Sequence, residues 1–435
     1  MKLIMFSVII FSLAACEGRF SPKNFSPQGE RISALSLDDS LKPDPNLVSQ
    51  RVVLPKPIEN KDWPQDGGSR KNYLQHIFMS DNPKLLWKNR IGKRSNKKNK
   101  LITNPIIYEN RVFSINSKGY LIATNLKNGK HVWNLNLVPK GISDSISGGG
   151  LAADNGILYL ITGFGFVYAI NSTNGSVIWK KNISVPLRGS PTVGNGKVFF
   201  VSILNQTYAL DKEDGNIIWV HSGVPETTSF LGGVSTALSG RILISPYSSG
   251  EVFALDSENG RVLWGKKLIK SRSRLSLVKL NDIHSRPIIE KETAYLSGSG
   301  GRLLAVDIRT GSNVWSRDFS IISSPWVSGK YIYFVTMDNQ LICVEKNTGK
   351  IKWLNQLTVY KNNKKSSNKL LWSGPILVSD RLVLLSSLGV MIAISPYTGE
   401  TLGKTKLSSE AFIEPIIAKG TMIVLTDDGI LSAYK

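Results

Sequence analysis

From about residue 84 onward the chain alternates apolar and polar residues in runs of four to six, each closed by Gly, Asn or Asp. Lys197 to Ser202 (KVFFVS), Gln206 to Asp211 (QTYALD) and Ile217 to His221 (IIWVH) show the pattern. Such alternation, rich in Val, Ile, Phe, Tyr and Trp, predicts short half-buried strands, and the turn residues come too often for a helix of about ten residues. The predicted unit is a small antiparallel meander.

The meander recurs. A glycine is followed four residues later by tryptophan at Gly129/Trp133, Gly175/Trp179, Gly215/Trp219, Gly260/Trp264, Gly311/Trp315 and Gly349/Trp353, and by glycine at the degenerate Gly399/Gly403. Six residues before each first glycine stands a small side chain: Ala123, Ala169, Ala209, Ala254, Ala305, Cys343 and Ala393. Four residues earlier again stands Gly119, Gly165, Asn205, Gly250, Gly301, Asn339 or Gly389, suited to a hairpin that needs positive φ. Pro105, Pro191, Pro287, Pro325, Pro375 and Pro415 open the first strand of most units, which places that strand at an inner edge. A period of roughly 40 to 50 residues is the signature of a propeller or solenoid.

Seven units are complete. The last, Ala411 to Lys435, has three strands, and Lys84 to Arg90 (KLLWKNR, with Trp87) reads as an outer strand lacking the three that should precede it. Joining them predicts an all-β, eight-bladed propeller of four-stranded antiparallel blades, closed by pairing the N-terminal strand with the C-terminal strands, which leaves no long free edge. The repeat indoles, Trp87, Trp133, Trp179, Trp219, Trp264, Trp315 and Trp353, are expected to rest on a neighbouring sheet where the small repeat residue makes room.

Before the repeats the composition changes. Residues 1–15 have one lysine, an apolar run too short to span a bilayer and a Leu13-Ala14-Ala15-Cys16 ending, the layout of a secretory signal. The ending resembles the lipobox of bacterial lipoproteins, which implies cleavage before Cys16 and acyl chains, palmitate among them, on that residue. Several such chains hold a protein firmly at a membrane. Glu17 follows, rather than the aspartate that in some bacteria marks inner-membrane retention, so the outer membrane is expected. Residues 16–62 are polar and Pro-rich and read as a flexible tether, with the propeller spanning 63–435.

Net charge is +22, with basic runs at 93–100, 266–279 and 361–369 that all fall between an outer strand and the next inner one and so emerge on one face. Export argues against nucleic acid, leaving solvated loops, acidic protein surfaces or anionic lipid as the counterpart. Cys16 and Cys343 are the only cysteines; with the first lipidated no disulfide forms, and Cys343, in register with the alanines, reads as a buried structural residue. His76, His131, His221 and His284 fall in different units without metal-ligand spacing. No catalytic constellation, metal site or cofactor is predicted.

Ala305 to Trp315 resembles the repeat of quinoprotein dehydrogenases, which bind pyrroloquinoline quinone. Those enzymes add a vicinal cysteine pair and calcium-binding acids that this chain lacks. The lipobox, the Pro-rich spacer, Trp63-Pro64-Gln65-Asp66-Gly67-Gly68 and eight such units together resemble the BamB family of outer-membrane β-barrel assembly lipoproteins, in its alphaproteobacterial form. That resemblance implies a non-enzymatic scaffold, anchored to the outer membrane and facing the periplasm, that docks on the POTRA domains of BamA and helps present unfolded barrel precursors. It implicates two loops. One is matched by Leu187-Arg188-Gly189, the other by Asp282, with His284 where the family has a second acid. Leu187 is expected as an apolar anchor and Arg188 as a charge-assisted contact, or else Arg188 and Asp282 pair within the propeller and shape the loops. A quinone-dependent dehydrogenase and a scaffold for another envelope assembly are the competing readings.

Overall fold

The computed structural model describes residues 41–435 except 96–100, 102, 142–147, 188, 226–232, 234, 269–284, 322 and 363–366. Among the described residues, eight four-stranded antiparallel sheets succeed one another along the chain. Blade 1 runs through strands A to D as Ile106–Tyr108, Arg111–Ile115, Tyr120–Asn125 and His131–Asn136. Blade 8 takes Ile416–Ala418, Thr421–Thr426 and Ile430–Tyr434 from the C-terminus and its outer strand, Leu85–Arg90, from the N-terminal side. Trp87 pairs with Ala433, and Lys84 and Lys435 exchange backbone hydrogen bonds of 2.7 and 2.9 Å. The expected closure is thus present.

Within each blade one residue from every strand lines up across the sheet. The row is Ile106, Phe113, Ala123 and Trp133 in blade 1, and Ile288, Tyr295, Ala305 and Trp315 in blade 5. In five of the blades rings on strands B and D meet over the small residue between them, with centroids 5.8 Å apart for Phe113/Trp133 and 5.9 Å for Tyr333/Trp353. Ala or Cys is required there because a longer side chain would fill the gap across which the rings touch. This corrects the expectation about which partner makes room: the small residue serves its own blade's indole.

Space in the next blade is made by the turn glycine instead. A Cβ built on Gly311 would lie 2.7 Å from the Trp264 ring, and φ there is +70°, so both sterics and backbone exclude other residues. The Trp264 indole N–H also donates to the Ile308 carbonyl at 2.8 Å. The same pairing recurs from Trp87 onto Gly129 through Trp353 onto Gly399, with seven indole N–H bonds of 2.8 to 3.1 Å to the neighbour's turn. Each contact buries a large apolar surface and satisfies its one polar atom, which is why an indole suits the seam better than a phenyl ring.

The inner edges raise a different problem, since each strand A presents unpaired backbone groups toward the axis. A non-repeating segment meets them one blade after another. Asn60 O accepts from Lys419 N, Trp63 pairs with Ile107, Pro64 O accepts from Ala153 N and the Gln65 side chain from Val193 N. Arg70 O then takes Leu238 N, Lys71 O takes Ile289 N, Gln75 O takes the Trp326 indole, and Ile77 pairs with Val378.

The chain is ordered well before residue 63, which moves the expected boundary of the tether. Lys42–Lys435 form one compact unit. A helical turn, Pro45–Val48, is capped by Asp44, whose carboxylate also meets Lys350 at 2.9 Å, and buried Lys352 donates to the carbonyls of Leu47, Val48 and Gln50. Val52 and Trp63 are buried, and Trp63 stacks on Trp326.

Two outcomes follow from this packing. Trp264→Ala should lower stability in urea denaturation by about 3–5 kcal/mol, and Gly311→Ala, on the other side of the same seam, by about 1–3 kcal/mol. Burial between strands pushes the Cys343 thiol well above its ordinary range, with Tyr333 and Lys352 offsetting only part of this. A thiol reagent at neutral pH should therefore label Cys343 only as fast as the ring unfolds.

Candidate functional site

A proline ring disfavours the helical region for the residue before it, which suits the residues before the strand-A prolines to lead into a strand. Those residues gather at the end of the axis where the D-to-A connections arrive. Asn104, Arg286, Ser324 and Glu414 occupy this position in blades 1, 5, 6 and 8, and all line one polar cavity of about 190 Å³ together with Asp66 and Phe412.

Arg286 sits at the centre. Its guanidinium donates to Asp66 Oδ1 at 2.8 Å and to Glu414 Oε2 at 2.6 Å, while its backbone N–H donates to Ser324 Oγ at 3.0 Å. Asn104 adds a 2.7 Å bond to Asp66. Burial opposes the charge on Arg286, but the two carboxylates overcome that opposition and hold the guanidinium protonated above its usual range. The group ties the non-repeating segment, through Asp66, to blades 1, 5 and 8. Gly67 and Gly68 turn the chain just beyond Asp66, and Asn72 donates from there to Thr236 O and Pro287 O.

Sequence reasoning passed over Arg286 and Glu414, although their place before Pro287 and Pro415 is a readable signal. The histidines do structural work where they are described. His76 bridges Pro55 O and Asp380 N, His221 stacks on Tyr247, and His131 is exposed beside Asn134. His284 lies outside the described residues.

Of the expected docking residues, only Leu187 is described; Arg188, Asp282 and His284 lie outside the described residues. Leu187 is fully buried among Ile161, Val193 and Val198 and bridges to Ser202, so it does not offer a surface anchor. It pins the start of its loop between blades 2 and 3. Ser190 pins the end, packed so closely on Gly150 that a Cβ there would come within 2.3 Å of the Ser190 hydroxyl. Only the ends of the three basic runs are described, and they are tied to neighbouring structure: Arg94 to Glu410 at 2.6 Å, Lys267 to Glu251 at 3.5 Å and Lys369 to Met337 O at 2.7 Å.

A family model described as outer membrane protein assembly factor BamB matches residues 117–355, more than half of the chain. The outer membrane protein assembly factor BamB of Salmonella typhimurium is 28% identical over 334 residues, covering 76% of this chain and 83% of the relative. The crystal structure of BamB from Moraxella catarrhalis superposes with a TM-score of 0.66 at 15% identity, covering 81% of this chain and all of that one. Quinohemoprotein alcohol dehydrogenase from Comamonas testosteroni gives 0.65 at 13% identity, over 86% and 80% of the two chains, a likeness of fold.

The residues along the axis do not fit a quinone of the kind that the dehydrogenase resemblance brings to mind. Arg286 is already engaged by both carboxylates, and the segment from Asn60 to Ile77 takes up the inner edges. Cys343 lies between strands, in register with Tyr333 and Trp353.

Removing one member of the buried charge group should expose its strain. Arg286→Met leaves Asp66 and Glu414 buried without a cation and should cost about 3–5 kcal/mol in urea denaturation. Adding Asp66→Asn and Glu414→Gln to it should restore much of the loss.

Proposed function

This chain belongs to the outer membrane protein assembly factor BamB family, and from that membership we propose that it is a non-enzymatic scaffold for the assembly of outer-membrane β-barrel proteins. In this reading Cys16 carries the lipid that holds it at the outer membrane, the propeller faces the periplasm, and its D-to-A loops dock on the POTRA domains of BamA. Unfolded barrel precursors are its further clients.

The observation that carries the reading is the fixed footing of the 187–190 loop. Buried Leu187 and tightly packed Ser190 hold both ends of the Arg188-Gly189 pair against a rigid pair of blades. Fixed loop ends reduce the conformational freedom that docking costs, so more of the contact energy with an acidic partner appears as affinity. Leu187 contributes by positioning, and Asp282 and His284 are proposed as further docking residues.

A photo-crosslinker placed at position 188 in the native envelope should capture BamA, and Arg188→Glu should lower capture from a second crosslinker site in the same loop by tenfold or more, which corresponds to about 1.4 kcal/mol. An adduct with an unrelated envelope protein, or a yield unaffected by the charge reversal, would overturn the assignment.

A further inference from the structure

Seven of the eight seams between blades hold an indole, and the eighth does not. Blade 7 carries the row Ile376, Val383, Ala393 and Gly403, so it lacks both the ring on strand B and the tryptophan on strand D. On the facing side, the turn of blade 8 is supplied by the N-terminal segment: Pro83 stands four residues before Trp87, where the other blades have glycine, and Ser80 stands seven before it, where the others present the carbonyl that accepts the indole N–H. Both halves of the contact are therefore replaced at the same seam.

What remains is a cavity of about 390 Å³. Its walls include Gly403, Ala393, Val383 and Pro83, with Met79, Met391 and Met422 along its sides. A Cβ built on Gly403 would meet nothing within 4 Å, in contrast to the crowded glycines of the other seams. The lining also holds Lys84, Lys404 and Arg381, the last paired with Asp81 at 3.2 Å, and cations of this kind favour an aromatic face. The strand that carries Gly403, Thr401–Lys406, is exposed along its whole length, including Leu402.

We propose that this seam is a socket for an aromatic side chain, above all an indole, donated by a second polypeptide lying over the outer strand of blade 7. The same chain shows seven times what a space between these blades accepts: a ring flat against the turn of the next blade with its N–H directed to a turn carbonyl. Methionine walls adapt to rings of somewhat different shape. The inference deepens the scaffold reading and rests on it only for the partner being a polypeptide. Strands of membrane barrels, which carry aromatic girdles, have the matching chemistry.

N-acetyl-tryptophanamide can be titrated into the mature chain with the methionine methyl groups observed by NMR. Saturable shifts confined to Met79, Met391 and Met422, lost in Gly403→Trp, are expected, as is an upward shift of the thermal midpoint of that variant. If Gly403→Trp does not fold, Gly403→Leu fills part of the same space and should weaken the response at least tenfold. Unshifted methyl groups, or shifts that persist unchanged in the filled variants, would overturn the socket whatever the outcome at position 188. An extended peptide bearing one tryptophan should bind at least tenfold more tightly than its alanine counterpart. Equal binding of the two peptides, or a dimer of this chain that disappears in Gly403→Trp, would overturn the choice of partner.

Discussion

The contact on which the ring depends is an indole laid on a glycine of the next blade. A four-stranded sheet of this size has too little apolar surface to stand alone, so its stability is held in the seams. Each of seven seams joins a large flat ring, a turn that tolerates no Cβ, and a hydrogen bond that keeps the indole N–H from being buried unpaired. The three requirements fall on residues at fixed offsets, which is why the repeat can be heard in the sequence at all. Because blade 8 is made by strands from opposite ends of the chain, Leu85–Arg90 pairing with Ile430–Tyr434, cohesion of the ring is tied to closure rather than to any one blade.

Closure completes blade 8 but leaves an inner edge of each blade facing the axis. The non-repeating segment from Asn60 to Ile77 answers this with backbone carbonyls and one glutamine side chain, visiting the blades in turn. A segment threaded in this way needs a fixed register, and the Arg286 group supplies it: a cation from blade 5 is satisfied only when Asp66 of the segment and Glu414 of blade 8 are both in place. A buried charge group adds little net stability, yet it discriminates sharply against misplacement, since any slip leaves a carboxylate without its partner.

The parts of this arrangement that rest on side-chain type and spacing were legible in the sequence. Hairpin positions such as Gly165 and Asn205 do adopt positive φ, the prolines do precede the inner strands except Pro375, which lies within Trp372–Val378, and Leu85–Arg90 does complete blade 8. What was misread rests on relations that spacing does not encode. Ala123 and Trp133 recur together whether the alanine serves its own blade or the next, and only the cross-strand register separates the two cases. Residues 44–62 have the proline content of a tether, but they bind through backbone atoms and through ligands such as Lys350 and Lys352 that lie some 300 positions away, so composition gave no sign of their order. Leu187, read as a surface anchor from the loop it begins, is buried because its bridge to Ser202 turns it inward.

A uniform ring would offer no reason for one face or one seam to differ from another, so specificity has to come from departures from the repeat. Two kinds are present. The D-to-A loops vary in length and charge while their ends are clamped by residues such as Leu187 and Ser190, an arrangement that lets loop chemistry change without disturbing the seams. The other departure follows from closure itself. Once the turn of blade 8 is built from the incoming chain, with Pro83 in place of glycine, position 403 is released from the constraint that fixes its seven counterparts. The gap left at that seam is thus a geometric consequence of where the two ends of the chain meet, and the apolar walls it retains keep the form of the contact that the rest of the ring fills for itself.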